Sequence, residues 1–437
     1  MIPCRSHPPG PIATTMPSHS PAVLPLVLFA LTYLALALGR LPWLALDRTG
    51  CAILGASAFL LTGTVTLDEV KSALDIPTLS VLFGMMLLSA QYRYSGLYAA
   101  IAQRLAHLDR PRLLLLGTIA VAAALSAVLT NDVVCFALAP LLGAVLLRTG
   151  RNPLPFLIGL ACASNLGGAL TPIGNPQNIL IAQRLRLQFL PFVLVCAAPV
   201  VLSLAFLYWL LARRIARSGG PPRAAAGAAA PSERRGADRE PLLTVVNRRE
   251  AAKALLLTAA AVALFLSPVP AALTALGVGA AVLVSPRFAT RRALAEVDWD
   301  LLALFVSLFI LQRGISLSGW TDAARNALLA GGLDLSRTVV LVPVAAVLSN
   351  LVSNVPAVML LLPFVDPGPA AGHALALATT FAGNAFLMGS IANLIVAAQA
   401  ERLGIRLGFV DHLRIGLPLT LVSLTLAAAE LALLASH

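Results

Sequence analysis

The amino-acid sequence predicts an all-α polytopic membrane protein built from two repeats of inverted topology. Of its 437 residues, 59% are hydrophobic and only 11% are charged, whereas a soluble globular domain carries about 25% charged residues. The apolar runs are close to the roughly 20 residues that cross a hydrocarbon core, and short arginine-bearing loops separate them. Motifs of the first half recur in the second half at a fixed distance. We therefore expect about 10 crossings and two re-entrant hairpins, shared between the repeats.

The composition also excludes several classes of function. The net charge of +12 comes from arginines in the loops and not from one basic face, so we expect no nucleic-acid partner. The five cysteines show no paired spacing, and no metal-ligand or Ser/His/Asp arrangement stands out. The sequence therefore indicates neither an enzyme nor a protein with an organic cofactor.

The first elements are a tail and a span. Residues 1–21 are rich in Pro, Ser and His, which predicts a disordered tail, and the sequence leaves open whether translation starts at Met1 or Met16. The span at 22–39 ends in Ala35-Leu36-Ala37, which resembles a signal-peptidase site. We expect this span to be retained, because a counterpart span occurs at 252–268.

The next spans, at about 50–66 and 75–91, reveal the internal repeat. The second of them begins at Asp75, and its partner begins 223 residues later, at Asp298. Gly96 and Gly319 are related by the same distance. An amphipathic segment then follows in each half, at 98–108 and at 321–331.

Each half continues with a polar element inside an apolar run, at 126–140 and 349–363, again 223 residues apart. In both, a serine is followed four residues later by Thr or Ser, then by Asn, and then by Pro nine positions beyond the Asn. Small polar groups at membrane depth are costly unless they bind something. We therefore predict two re-entrant hairpins whose tips hold an ion or a substrate.

A long apolar helix follows each hairpin and is interrupted by a polar segment, TPIGNPQN (171–178) or MGSIAN (388–393). In both segments a Gly precedes an Asn by four residues, but here the repeat distance is 215. We predict a broken helix in each half, followed by final spans at about 190–212 and 414–434. A helix that restarts inside the membrane turns its positive end toward the cavity, where it can hold an anion.

These assignments divide the chain into a tail (1–21), a first transmembrane repeat (22–212), a linker (213–250) and a second repeat (251–437). The linker carries nine arginines against four acids, which predicts a cytoplasmic location. With five crossings in each half, most of the 31 Lys and Arg then fall on the cytoplasmic side and both termini lie outside. We expect a multi-pass protein of the inner (plasma) membrane.

The candidate site residues come from the hairpins and the interrupted helices. Candidates for ion or substrate binding are Ser126, Thr130, Asn131, Asp132, Thr171, Gly174, Asn175 and Asn178 in the first half, and Ser349, Ser353, Asn354, Gly389, Ser390 and Asn393 in the second. Candidates for binding a dehydrated Na⁺ through side-chain or carbonyl oxygens are Ser126, Thr130, Asn131, Asp132, Gly174, Ser349, Ser353 and Asn354.

Asp132 is the one acid within these elements, and its counterpart is Val355. A carboxylate at this depth is expensive unless it binds a cation or a proton, which favours a coupling role. Asp132 is also well placed to cap a helix, and this alternative stays open. The polar residues taken together have an alternative role too, because Ser and Asn also join membrane helices and Gly and Pro also kink them.

The two hairpin-tip motifs, TND and SNVP, together with GGALTPIGNPQN and GNAFLMGSIAN, resemble the ion transporter superfamily over about residues 22–434. This group includes divalent-anion/sodium symporters, citrate transporters, arsenite efflux permeases and one class of sodium/proton antiporters. The resemblance implies a homodimer in which a mobile transport domain moves against a scaffold in an elevator-type motion. It also implies a carboxylate-binding Thr after each tip Asn, but Asp132 and Val355 stand there. A di- or tricarboxylate substrate is therefore in doubt.

The function expected from the sequence is secondary active transport of a small inorganic or organic anion, coupled to a Na⁺ or H⁺ gradient. A sodium/proton antiporter and an arsenite-type efflux permease are the alternatives, and an ion channel is a further one. The partners expected are the lipid bilayer and a small ion. We expect no cofactor, and Na⁺ is the candidate bound ion.

Overall fold

A computed structural model of the protein describes residues 23–39, 46–217, 246–366 and 368–435. All regular structure in these ranges is helical. The first repeat contains α1 (Val23–Leu38), α2 (Arg48–Leu61), α3 (Leu67–Ala73), α4 (Ile76–Ser95), α5 (Leu97–Ala106), α6 (Pro111–Val128), α7 (Asn131–Arg148), α8 (Leu154–Gly168), α9 (Pro176–Arg184) and α10 (Phe189–Arg217). The second contains α11 (Arg248–Phe265), α12 (Ala271–Leu283), α13 (Thr290–Ala295), α14 (Trp299–Leu317), α15 (Trp320–Ala330), α16 (Thr338–Val352), α17 (Asn354–Leu361), α18 (Pro369–Ala382), α19 (Ile391–Arg402) and α20 (Phe409–Ala435), with 3₁₀ turns at Leu362–Phe364 and Leu387–Gly389.

The ten helices of one repeat correspond one to one with those of the other. The helix pairs α2/α12, α3/α13, α4/α14, α5/α15 and α7/α17 begin 223 residues apart, and α8/α18 and α9/α19 begin 215 apart. The ends of the paired helices are alike as well. Asp75 and Asp298 both accept a hydrogen bond from the backbone three residues on. Gly96 and Gly319 both adopt left-handed φ angles, of 77° and 79°, which glycine adopts without strain. The internal repeat is confirmed.

The repeats are interleaved. Helix α4 packs against α12 of the other half, and α14 packs against α2. Within each half the same pair meets, since α6 packs against α8 and α16 packs against α18. Between the halves, α10 and α20 pack against each other. This exchange of partners is what two repeats related by a two-fold axis produce, as in inverted-repeat transporters.

The spans differ from simple 20-residue helices. In the described ranges five helices are long and apolar enough to cross a membrane alone, α6, α7, α10, α14 and α20, and α3 with α4 forms a sixth candidate bent by 62°. Two of the five, α6 and α7, are the arms of the first predicted hairpin and are not among the ten predicted crossings. Of the predicted crossings, α1, α2, α8 and α12 are shorter apolar helices of 10–17 residues. Interrupted and tilted spans cannot be recognised by length alone.

The boundaries of the predicted segments also shift. The tail 1–21 and most of the linker lie outside the described residues. Helix α10 continues to Arg217 and α11 begins at Arg248, both inside the range predicted for the linker. Arginines extend a helix end readily because their long side chains reach the polar interface while the backbone stays helical.

Four irregular segments lie in the interior. They are the hairpin tips at Leu129–Thr130 and Ser353 and the helix breaks at 169–175 and 383–390. Both tips are buried, with Thr130 exposed by 2% and Ser353 by 4%. Ser353 adopts a φ of 76°, a region that a non-glycine residue adopts only at a cost. Buried tips that contact broken helices are the arrangement expected of re-entrant hairpins.

Candidate functional site

The tip of the first hairpin is held by the first helix break. The backbone N–H of Asn131 donates to the carbonyl of Gly174 over 3.0 Å, and the hydroxyl of Thr171 donates to the carbonyl of Ala127 over 2.6 Å. A Cβ on Gly174 would lie 2.5 Å from the carbonyl oxygen of Gly168 and 2.7 Å from that of Ser126. The tip and the break can approach this closely only because glycine has no side chain.

Asn178 and Asn393 brace the two breaks in the same way. The amide nitrogen of Asn178 donates to the carbonyls ten and seven residues earlier, both over 3.2 Å. That of Asn393 donates to its carbonyls at the same two separations, over 2.8 and 3.2 Å. Asn175 contributes by capping α9, since its side chain accepts from the N–H of Asn178. These amides satisfy carbonyls that the interrupted helices leave without partners.

At the first hairpin tip and helix break, four buried side-chain oxygens have no hydrogen-bond partner within the described ranges: Ser126 Oγ, Thr130 Oγ1, Asn131 Oδ1 and Asn178 Oδ1. Each of these residues is at most 2% exposed. Buried polar groups without partners are rare and indicate a bound water or ion. Neutral hydroxyl and carbonyl oxygens are hard ligands of the kind that a dehydrated alkali cation takes. The residues predicted for the first Na⁺ site therefore include oxygens that need a ligand.

The second repeat differs because Ser349 and Asn354 at its tip have protein partners. Ser349 Oγ donates to the carbonyl of Thr379 over 2.9 Å. With its amide oxygen turned toward Gln177, Asn354 accepts from that amide over 3.1 Å and donates to the carbonyl of Gly389 over 3.2 Å. The two predicted sites are thus unequal, and the first has more free oxygen ligands.

Asn165, on α8, connects the two halves, although sequence reasoning did not single it out. Its amide nitrogen donates to Asn384 Oδ1 over 2.9 Å and to Asn393 Oδ1 over 3.2 Å. Its amide oxygen accepts from Asn131 Nδ2 over 2.9 Å and from Ser390 Oγ over 3.1 Å. Asn165 is fully buried. It therefore ties the first hairpin tip directly to the second helix break.

A sequence signal for Asn165 exists in the repeat itself. The residue 215 positions later is Thr380, which is also polar and buried. Its hydroxyl accepts from the amides of Asn175 and Gln177, both over 3.2 Å. A comparison of the halves position by position would have identified a buried polar residue at this place in each.

The tips and the breaks enclose a cavity of about 10 Å³, which is about the volume that one water or a small ion needs. Its lining residues are Asn131, Asp132, Pro176, Gln177, Leu301, Ser353, Asn354, Val355, Ser390 and Ile391. Asp132 is the one charged residue in this set. The cavity therefore carries a carboxylate and no cationic side chain.

Asp132 also lines a second cavity of about 330 Å³, between α4, α5, α7 and the start of α14. Three other charged residues line it, namely Arg93, Glu296 and Asp298. Arg93 and Glu296 form an ion pair of 2.9 Å. Asp132 thus lies at the junction between an ion-sized cavity and a larger one.

The two repeats differ at the start of their paired helices α4 and α14. Asp75, the counterpart of Asp298, forms an ion pair of 2.7 Å with Arg184, and its side chain is only 9% exposed. Asp298 instead lines the larger cavity that reaches Asp132. The counterpart positions therefore have different surroundings, an ion pair in one repeat and a cavity in the other.

Five of the predicted site residues line the small cavity together: Asn131, Asp132, Ser353, Asn354 and Ser390. The others surround it. Ser126, Thr130 and Gly174 lie at the first tip and break, while Thr171, Asn175, Asn178, Ser349, Gly389 and Asn393 take part in the backbone and amide contacts that shape the segments.

Comparison with known proteins gives consistent similarities. The family model described as "Citrate transporter" matches residues 26–382. An uncharacterized transporter of Mycobacterium tuberculosis is 30% identical over 94% of this chain and 98% of the relative. The silicon efflux transporter LSI3 of Oryza sativa is 29% identical over 91% of this chain and 94% of the relative. The crystal structure of the Alcanivorax borkumensis YdaH transporter covers 94% of this chain and 96% of that one, with a TM-score of 0.54 and 18% identity.

Proposed function

The chain belongs to the citrate transporter family, and from that premise we propose that this multi-pass membrane transporter is a secondary active carrier that couples movement of a small oxyacid to a Na⁺ or H⁺ gradient. The observation that carries the proposal is the place of Asp132. It is the one charged group of the ion-sized cavity, and it also faces the larger cavity. A carboxylate in this position attracts a cation and changes its interactions when the cation leaves.

The unequal tips support a division of roles. The first tip and break have four buried oxygens without partners in the described ranges, whereas Ser349 and Asn354 at the second tip bond to protein groups. We assign the coupling cation to the first tip, with Ser126, Thr130, Asn131 and Asp132 as its ligands. The second tip, with Ser353 and Asn354, then serves the substrate.

The charge of the cavity narrows the substrate class. A citrate ion requires cationic groups to balance its carboxylates, and no Lys or Arg lines the small cavity. Amide and hydroxyl groups can instead hydrogen-bond to the hydroxyls of an uncharged oxyacid such as silicic acid. The named function of the rice relative supports this class. The proposed substrate is therefore an uncharged oxyacid and not the small anion that the sequence led us to expect.

The cytoplasmic position of the linker, the plasma-membrane location, the homodimer and the elevator-type movement belong to the same proposal. The loop arginines support the orientation. The asymmetry between the repeats supports alternating access, because Asp75 is held in an ion pair while its counterpart Asp298 lines a cavity that reaches Asp132.

Flux through reconstituted proteoliposomes tests the proposal. We expect silicic acid to move when a Na⁺ or pH gradient is imposed, and citrate to move far more slowly. In Asp132→Asn the gradient should no longer drive flux, while the protein stays folded, since the substitution removes a poorly solvated charge. Glu296→Gln is the matched control, because Glu296 lines only the larger cavity. An unchanged gradient dependence in Asp132→Asn would contradict the coupling role.

A sodium/proton antiporter is the second candidate, and the small volume of the central cavity favours it. An antiporter would acidify or alkalinise liposomes in response to Na⁺ with no oxyacid present. The carrier proposed above would show this response only together with oxyacid flux.

A further inference from the structure

A groove lies at the start of α6 and the end of α10, at the end of α6 opposite to the first hairpin tip. It has a volume of about 540 Å³ and is lined by Arg112, Tyr208, Trp209, Ala212, Arg213 and Ala216. Arg112 lies in the first turn of α6, and the other residues come from the last turns of α10. Both helices are candidate spans, so the groove lies where a span ends and the polar surface of the membrane begins.

The groups that line the groove favour binding of an anion. Arg112 and Arg213 are both exposed, and neither forms an ion pair with a residue in the described ranges. The Arg213 guanidinium lies 3.9 Å from the ring centre of Trp209, which holds it in place by a cation–π contact. No side chain caps the first turn of α6. Its free N–H groups and the positive end of the helix dipole add to the two arginines.

An apolar stripe continues from each arginine along its own helix. On α6, Leu116 and Ala120 follow Arg112 at intervals of four residues and are exposed. On α10, Ala205 and Val201 precede Trp209 at the same interval and are also exposed. Residues four apart share one face of a helix. The ligand that matches this surface has an anionic head and long apolar chains.

We propose that this groove binds an anionic phospholipid. The phosphate lies between Arg112 and Arg213, the glycerol region lies against Tyr208 and Trp209, and the acyl chains follow the two apolar stripes. Helix α6 is the first arm of the hairpin that carries Thr130–Asp132, and it packs against α10. The bound lipid therefore braces this arm at the end opposite to the tip.

The test compares lipids in purified full-length protein. We would measure thermal unfolding in detergent with added phosphatidylglycerol, with phosphatidylcholine, or with glycerol 3-phosphate, and count retained lipids by native mass spectrometry. The variants are Arg112→Gln, Arg213→Gln and the double variant. Arg148→Gln is the matched control, since Arg148 is an exposed arginine at the same end of the same hairpin but outside the groove.

We expect phosphatidylglycerol to raise the unfolding temperature of the wild type above that in phosphatidylcholine. Apparent lipid affinity should fall about fivefold for each arginine removed, because each contributes about one headgroup contact, and Arg148→Gln should respond like the wild type. An equal response in the double variant would overturn the proposal. So would an equal shift with glycerol 3-phosphate, which would identify a phosphate site with no need for acyl chains. A third outcome would also overturn the proposal: phosphatidylglycerol does not stabilise the wild type, and the double variant unfolds at a lower temperature than the wild type in phosphatidylcholine. That result would indicate that acidic residues of the chain bind the two arginines.

Discussion

Replacing Asn165 with alanine should clearly destabilise the protein. The side chain makes four hydrogen bonds, to Asn131, Ser390, Asn384 and Asn393, at 2.9 to 3.2 Å. Each partner would be left buried without its bond. Hydrogen bonds between membrane helices average about 0.6 kcal/mol, with a maximum near 1.7. Four bonds at the average value correspond to a loss of about 2.5 kcal/mol.

The assay is the free energy of unfolding in mixed detergent micelles, measured together with flux in proteoliposomes. The matched control is Asn350→Ala, because the Asn350 amide donates only to a carbonyl of its own helix, over 3.0 Å. This control should cost less than about 1 kcal/mol. Asn165→Ala should also weaken cation binding, since Asn131 at the first tip loses a partner.

An Asn165→Ala variant that unfolds within about 0.5 kcal/mol of Asn350→Ala would refute the reasoning, since it would show that four buried bonds contribute no more than one local bond. Normal stability together with normal cation dependence would further show that the two halves do not communicate through this amide.

The close contact at Gly174 and the ion pair between Asp75 and Arg184 each give a further prediction. Gly174→Ala should lower the free energy of unfolding by about 1–3 kcal/mol and abolish flux, because the new Cβ would lie 2.5 Å from a backbone oxygen. The control Gly277→Ala should keep both stability and flux, because its Cβ would meet nothing within 4 Å. Arg184→Gln should cost about 1–3 kcal/mol, because it leaves the Asp75 carboxylate without its partner and that side chain is only 9% exposed. We also expect it to widen access to the central cavity from this side, so that the thiol of an added Val355→Cys substitution reacts with an impermeant maleimide. An unreactive thiol there, with Arg184 replaced, would show that the ion pair does not restrict this access.

Much of the site can be predicted from the sequence because polar residues are conspicuous in apolar runs. The hairpin tips and the helix breaks are recognisable in this way, and the fixed 223-residue distance is enough to identify the repeat. The helices confirm it to the residue, since α4 and α14 begin at Ile76 and Trp299 and α7 and α17 at Asn131 and Asn354. Local polarity and spacing are properties of the chain itself, so they can be read from it.

The roles within the site depend on packing between distant parts of the chain. Asn165 bonds to residues 219 to 228 positions away, and the sequence does not specify such a contact. Asn178 and Asn393 are polar residues of the interrupted helices in the sequence, and the fold directs their amide nitrogens to backbone carbonyls. The position of Asp132 between two cavities likewise depends on packing between distant parts of the chain.

Composition and comparison of the two halves are sufficient to establish the membrane class, the repeats, the polar tips and breaks, and the inequality of Asp132 and Val355. The packing of the helices was needed to establish which oxygens lack partners, that Asp75 pairs with Arg184, and where the arginines of α6 and α10 meet. Hydrogen bonds and ion pairs have short range, so they depend on how the two halves pack and not on the order of residues along either one.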